Sequence, residues 1–341
     1  MTTTERMPSD LQDDLSAEYD FADYANWSLE NWRESSGYDD QGSSEWCEAG
    51  EQEAAIKVFQ SCLFAAIFLF GVAGNGLVMA TFAANRCRGP RSVTDVFLFQ
   101  LALADFLLLL TLPLQAADTN TGWIFSAPVC KVTRAVYAVN TYGGLLLLAC
   151  ISVDRYLAVV SSRARRKFAR LATAAVWLTA LLLSLPELLF SGVSGSGRDA
   201  YCGTLAGAAV KTATNAAAVA VFALSFLLMA ACYLAIARIL RAGSETWLRR
   251  RHTLKLMMAL VLLFLLFQLP HSVVVSLKMA RPLCAPVPEY VTCTLAFARC
   301  CLNPVMYALV GGRFRSEALK LLRGHRTGLR ASVSTPTKEA V

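Results

Sequence analysis

Apolar residues in this chain come in long uninterrupted blocks, not in the short alternations of a water-exposed sheet or the narrow stripes of a soluble amphipathic helix. Val58 to Ala84 carries no charged residue. Further blocks run from Val93 to Ala117, Val129 to Val160, Leu171 to Phe190, Ala213 to Ala237, Leu254 to Leu277 and Tyr290 to Val310. A helix needs about 20 apolar residues to cross the hydrocarbon core, so the pattern predicts seven membrane spans. The third and seventh blocks are the least apolar, which makes five or six spans the competing count. Residues 1–54 are polar and predict no packed element. Phe314 and Leu319 to Leu322 space their apolar side chains as a short helix lying on the inner leaflet does.

Composition supports this reading. Charged residues are 17% and apolar residues 55% of the 341, against roughly a quarter charged in a soluble globule. The charge is unevenly divided. Residues 1–53 hold fifteen acids and two bases, a net of −13, leaving ten acids and thirty bases, a net of +20, for the rest. The bases cluster in alternate connections: Arg86, Arg88 and Arg91; Arg163, Arg165, Arg166, Lys167 and Arg170; Arg238, Arg241, Arg249 to Arg251 and Lys255. Basic connections face the cytoplasm, so the acidic N-terminus is expected outside and the basic tail inside. No apolar signal segment precedes residue 54, and the first span is expected to act as the anchor. Short basic clusters between apolar blocks point to anionic lipid and away from nucleic acid.

The outer face carries candidate chemistry. Tyr19, Tyr24 and Tyr38 lie among acids, the setting for tyrosine sulfation, and Asn26-Trp27-Ser28 is a glycosylation sequon. Such a segment can steer a basic ligand. Cys130 and Cys202 fall at the outer face, where a bridge would pin a loop over the bundle. Cys47 and Cys284 are a second expected pair, with Cys293 an open alternative partner for Cys47.

Polar groups inside spans are costly and mark function. Asp105 lies in mid-span, and with Asn75, Asn140 and Asn303 it suggests a hydrated pocket for a sodium ion or a proton, or a hydrogen-bond network without an ion. An enzyme is disfavoured. Asp105 and Asp154 differ in depth, and the histidines are His252, His271 and His325, with no metal-binding or nucleophile-activating pattern around them. No metal site and no cofactor beyond an allosteric sodium ion is expected. A transporter is disfavoured because no internal repeat is evident. Pro113, Pro186, Pro270 and Pro304 should kink their helices, and hinged helices suit a two-state switch.

Gly74-Asn75, Leu101-Ala102-Leu103-Ala104-Asp105, Asp154-Arg155-Tyr156, Trp177 and Asn303-Pro304-Val305-Met306-Tyr307 occur in order, one set per span. In that register the chain resembles a rhodopsin-like G-protein-coupled receptor over residues 55 to 325. Asp154 to Val160, Thr111-Leu112-Pro113, Trp123 before Cys130-Lys131, Ser184-Leu185-Pro186 and Cys300-Cys301-Leu302 resemble the chemokine receptors. Phe267-Gln268-Leu269-Pro270, Arg299 and Leu148 to Ser152 are similar to a homeostatic CC subgroup. Ser225, Gln115 and Cys293 depart from the usual residues.

The resemblance implies an all-α seven-transmembrane bundle (residues 55–310), a juxtamembrane amphipathic helix (311–323) and a cytoplasmic Ser/Thr tail (324–341). It implies a multi-pass plasma-membrane protein that binds a chemokine and activates a heterotrimeric G protein. The ligand's contacts would be Tyr19, Tyr24, Tyr38, Gln115, Tyr137, Gln268, His271 and Glu289, with Tyr142, Lys211, Tyr290 and Glu187 as further candidates. The inner switch would use Asp154, Arg155, Tyr156, Tyr233, Asn303, Pro304 and Tyr307. Receptor kinase and arrestin would act on Ser332, Ser334, Thr335 and Thr337. The alternatives are a scavenging chemokine receptor, a receptor for another peptide, and a transporter or channel.

Overall fold

The computed structural model describes residues 53–84, 93–160, 162–197, 200–242, 247–280, 286–310 and 314–320. The sequence expectations for Tyr19, Tyr24, Asn26, Tyr38, Cys47, Cys284 and the tail residues Ser332, Ser334, Thr335 and Thr337 lie outside them. In hydrocarbon a backbone must satisfy its own N–H and C=O groups, and helices do so within one segment. The apolar blocks accordingly form α1 (Glu53–Ala84), α2 (Val93–Leu109), α3 (Leu112–Thr121), α4 (Ala127–Val160), α5 (Ser162–Phe190), α6 (Ala208–Ala242), α7 (Trp247–Ala280) and α8 (Pro286–Val310). A short α9 (Phe314–Lys320) follows. Among the described residues, six helices are long and apolar enough to cross a membrane, and the count is seven when α8 with α9 is taken as one span.

α2 and α3 make one span with a break. Pro113 has no N–H to donate and stands at the start of α3. The Thr111 hydroxyl donates to the Leu108 carbonyl at 2.7 Å, covering one acceptor the break exposes. The helices also run past the apolar blocks. α5 starts nine residues before Leu171, through a stretch of Arg, Lys and Ala, which are good helix formers.

α4 is the central helix and packs against α2, α5, α6 and α7, while α8 packs against α1, α2 and α7. Leu101, Leu145, Leu148, Met229, Leu260, Phe264 and Tyr307 fill the core between them. α1 comes close to α8 because Gly74 faces Pro304; a Cβ at Gly74 would sit 3.1 Å from the proline ring. Phe70, Leu171, Leu227, Leu266 and Leu309 are exposed, whereas Asn75, Asp105, Asn140, Gln268, Arg299 and Asn303 are buried. That arrangement suits a lipid surround, where apolar side chains need no cover and polar ones do.

One non-helical element went unforeseen in the sequence. β1 (Ser191–Ser194) pairs antiparallel with β2 (Tyr201–Thr204), with Ser191 opposite Thr204 and Val193 opposite Cys202. Gly195 and Gly197 take φ values of 84° and 62° in the turn, which favour glycine.

Candidate functional site

The hairpin packs against α4 and α5 at the end of the bundle where α4 begins. A disulfide joins Cys130 at the start of α4 to Cys202 on β2, as the sequence suggested. The Trp123 N–H donates to the Ala200 carbonyl at 2.7 Å, a second tie between the connections. A third comes from a charged group. Arg134 on α4 donates through Nε to Glu187 on α5 at 2.7 Å and through Nη2 to Thr204 on β2 at 3.0 Å. The same Glu187 oxygen accepts from Ser191 at 2.9 Å and from Thr204 at 3.2 Å. Glu187 was a candidate for a ligand's basic groups; the structure gives it three internal donors instead. Arg134 lies within the third apolar block and is not among the site residues expected from the sequence.

Tyr137 on α4 meets Gln268 and His271 on α7 and Phe297 on α8. Gln268 is buried and donates through Nε2 to the Tyr137 hydroxyl at 3.1 Å. The Tyr137 ring stands 6.0 Å from His271 edge-to-face and 5.7 Å from Phe297. His271 Nδ1 lies 3.4 Å from the Thr292 hydroxyl on α8. The structure thus brings Tyr137, Gln268 and His271 together. Gln115 on α3 and Glu289 at the start of α8 are half-buried. Tyr142 is buried with Ala138 and Ala180 at the α4–α5 contact. Gln60 was missed altogether. It is buried on α1 and donates to the Tyr290 carbonyl at 3.3 Å and to Thr294 at 3.2 Å.

Removing the Tyr137 hydroxyl leaves the Gln268 amide buried without this acceptor. An orphaned buried donor costs about 1–3 kcal/mol. Tyr137→Phe is therefore expected to lower the thermal midpoint of the purified protein, and Tyr137→Phe with Gln268→Leu to recover most of the loss.

The middle of the bundle holds a polar cluster. Asp105 on α2 is fully buried. Its Oδ1 accepts from Asn140 Nδ2 at 2.9 Å and from Arg299 Nη1 at 3.4 Å, and its Oδ2 accepts from Asn303 Nδ2 at 2.6 Å. Arg299 Nη2 donates to Asn140 Oδ1, and the guanidinium lies over the Phe264 ring of α7 at 5.0 Å. Asn75 is not bonded to Asp105; it ties α1 to α8 by donating to the Cys300 carbonyl at 2.9 Å. Where the sequence suggested a hydrated pocket for a sodium ion or a proton, the structure places the Arg299 side chain.

At the inner end, Arg155 donates through Nη2 to Asp154 Oδ2 at 2.8 Å. The Thr94 hydroxyl on α2 donates to the same oxygen at 2.7 Å. Asp154 is fully buried, and both of these donors face its charge. Tyr233 on α6 accepts from Ser152 at 3.3 Å. Tyr307 on α8 is buried, its hydroxyl has no hydrogen-bond partner among the described residues, and its ring meets Phe314 of α9 at 6.3 Å. Tyr156 is half-buried on α4 and joins none of these bonds. Trp177 Nε1 donates to Gln100 Oε1 at 3.0 Å, fastening α5 to α2.

These three layers can be set beside known proteins. The model of the 7 transmembrane receptor (rhodopsin family) matches residues 74–307. Human C-C chemokine receptor type 10 is 38% identical over 324 residues, covering 88% of this chain and 88% of that one. Mouse C-C chemokine receptor type 7 is 36% identical over 287 residues, covering 78% and 75%. Human atypical chemokine receptor 4 is 32% identical over 288 residues, covering 78% and 80%.

The chain belongs to the chemokine receptors of the rhodopsin family.

It is a seven-transmembrane receptor and a multi-pass plasma-membrane protein, not an enzyme. Several motif residues expected from the resemblance take part in the contacts above. Asn303 holds Asp105, Pro304 faces Gly74, and Asp154 holds Arg155. Gln268 and Arg299, the residues that resemble a CC subgroup, bond to Tyr137 and to Asp105 with Asn140.

Proposed function

We propose that this receptor is a CC chemokine receptor. It binds a basic chemokine through its acidic, extracellular N-terminus and its bundle pocket. It activates a heterotrimeric G protein of the inhibitory class, which raises cytosolic calcium and drives chemotaxis. The observation that carries the signalling part is the Asp154–Arg155 pair. It stands at the inner end of α4 in a buried, Thr94-supported form. A bond of this kind biases one of two arrangements, and an agonist shifts the population by its differential affinity for the other. The identities with the C-C type 10 and type 7 receptors support the ligand class.

The ligand's folded body would meet the N-terminal acids and tyrosines, and its flexible end would reach Tyr137, Gln268 and His271. Gln115 and Glu289 would border the entrance. Receptor kinase and arrestin would engage the Ser/Thr tail, and α9 and the basic inner connections would meet anionic lipid. The N-terminal net charge of −13 predicts a salt-sensitive association. The on-rate of a basic chemokine is expected to fall by about tenfold between low and physiological salt; a salt-independent on-rate would count against electrostatic steering.

The second reading is a scavenging receptor, and the similarity to atypical chemokine receptor 4 favours keeping it in view. A chemokine panel on transfected cells, read for calcium, cyclic AMP and arrestin together, separates the two. Calcium rise with cyclic AMP fall supports signalling. Uptake with both silent supports scavenging. No binding by any chemokine would point to another peptide as ligand.

A further inference from the structure

We infer that the Arg299 guanidinium is a built-in cation: it fills the position beside Asp105 where a sodium ion would sit, and it keeps sodium out. This goes beyond the ligand reading and does not depend on which chemokine binds.

A hard cation needs oxygen atoms facing it. Around Asp105 the facing atoms are nitrogen donors: Asn140 Nδ2, Arg299 Nη1 and Asn303 Nδ2. Each turns the positive end of an N–H bond toward the carboxylate. The Asn140 side chain does carry an oxygen, but Arg299 Nη2 donates to it, and that bond orients the amide nitrogen toward Asp105. Gly144, one turn along α4, offers no side-chain ligand. A Cβ there would lie 3.6 Å from Arg299 Nη1, so the guanidinium lies where a side chain at this position would approach the cluster. The carboxylate's charge is already matched by the buried ion pair. A sodium ion entering here would meet a second positive charge beside a fully buried carboxylate.

Arg299 also does what a diffusible ion cannot. It is covalently part of α8 and lies over the Phe264 ring on α7. It therefore ties the α2–α4 cluster to α7 at all sodium concentrations. Without the guanidinium, Asn140 can turn its amide and present Oδ1 beside Asp105, which restores an oxygen-lined site.

The test uses the purified full-length chain and its thermal midpoint in sodium chloride against equal N-methylglucamine chloride. The wild type is expected to show no difference. Arg299→Lys keeps the charge and is expected to show none. Arg299→Ser is expected to gain a sodium-dependent rise of several degrees, and Asp105→Asn added to it should remove that rise. Should Arg299→Ser not fold, Arg299→Gln carries that arm. A sodium-dependent rise in the wild type that Asp105→Asn abolishes would overturn the inference. So would a folded neutral variant at position 299 that ignores sodium.

Discussion

Asp105→Asn is expected to destabilise the bundle by about 3–5 kcal/mol, because it leaves the Arg299 guanidinium buried without its counter-charge. The pair lies at 3.4 Å with side chains 0% and 1% exposed, so neither solvent nor a neighbouring acid can take over. The carboxylate also accepts from Asn140 and Asn303, and one of those bonds is weakened when an amide replaces it. Asp105→Asn with Arg299→Gln removes both charges together and is expected to recover most of the loss. Midpoints for the wild type, both single variants and the double variant, in one detergent, give the coupling. Strict additivity of the two substitutions would show that Asp105 and Arg299 do not act as a pair.

Arg155→Ala is expected to bring agonist-driven nucleotide exchange down to background while leaving surface level and ligand affinity near those of the wild type. Arg155 is near the end of α4, 18 residues along the same helix from Tyr137. Its side chain is 17% exposed, whereas Asp154 is 0% exposed, so the arginine is the accessible member of the pair. The converse substitution should act in the opposite direction. Asp154→Asn weakens a charge-assisted bond worth about 1.5 kcal/mol or more, and about 1.4 kcal/mol is a tenfold change in a two-state ratio. Basal exchange is therefore expected to rise by up to about tenfold in Asp154→Asn. Basal and stimulated exchange measured in matched membranes check both. Full stimulated exchange in Arg155→Ala would remove Arg155 from the switch.

The spans were legible in the sequence because the physics that makes them is local. A block of about 20 apolar residues has few other ways to satisfy its backbone in lipid. The break between α2 and α3 was legible for the same reason: Thr111 and Pro113 alter the hydrogen bonding within one turn. The ends were less so. α5 begins at Ser162, since a helix of Arg, Lys and Ala does not stop where the hydrocarbon does. The β1–β2 hairpin was hidden because its order depends on Cys202 reaching Cys130 and on Glu187 and Arg134 meeting its two ends. None of these pairings shows in a short window.

The polar groups divide in the same way. Asp105, Asn140 and Asn303 stand out as costly residues in apolar surroundings, and they do cluster. Arg299 was equally conspicuous by that criterion but served only as a mark of resemblance to a subgroup. Its partner lies 194 residues away along the chain, and periodicity cannot find such a pair. Glu187 shows the reverse error. An acid near the outer face suggests a basic ligand until Arg134, 53 residues earlier, is seen to hold it.

The most direct test of the account is nucleotide exchange by the purified receptor in lipid discs with an inhibitory-class heterotrimer, with and without a bound basic chemokine. The account predicts exchange that rises with chemokine occupancy and is lost in Arg155→Ala. Saturable chemokine binding with exchange unchanged from the unliganded receptor would contradict it.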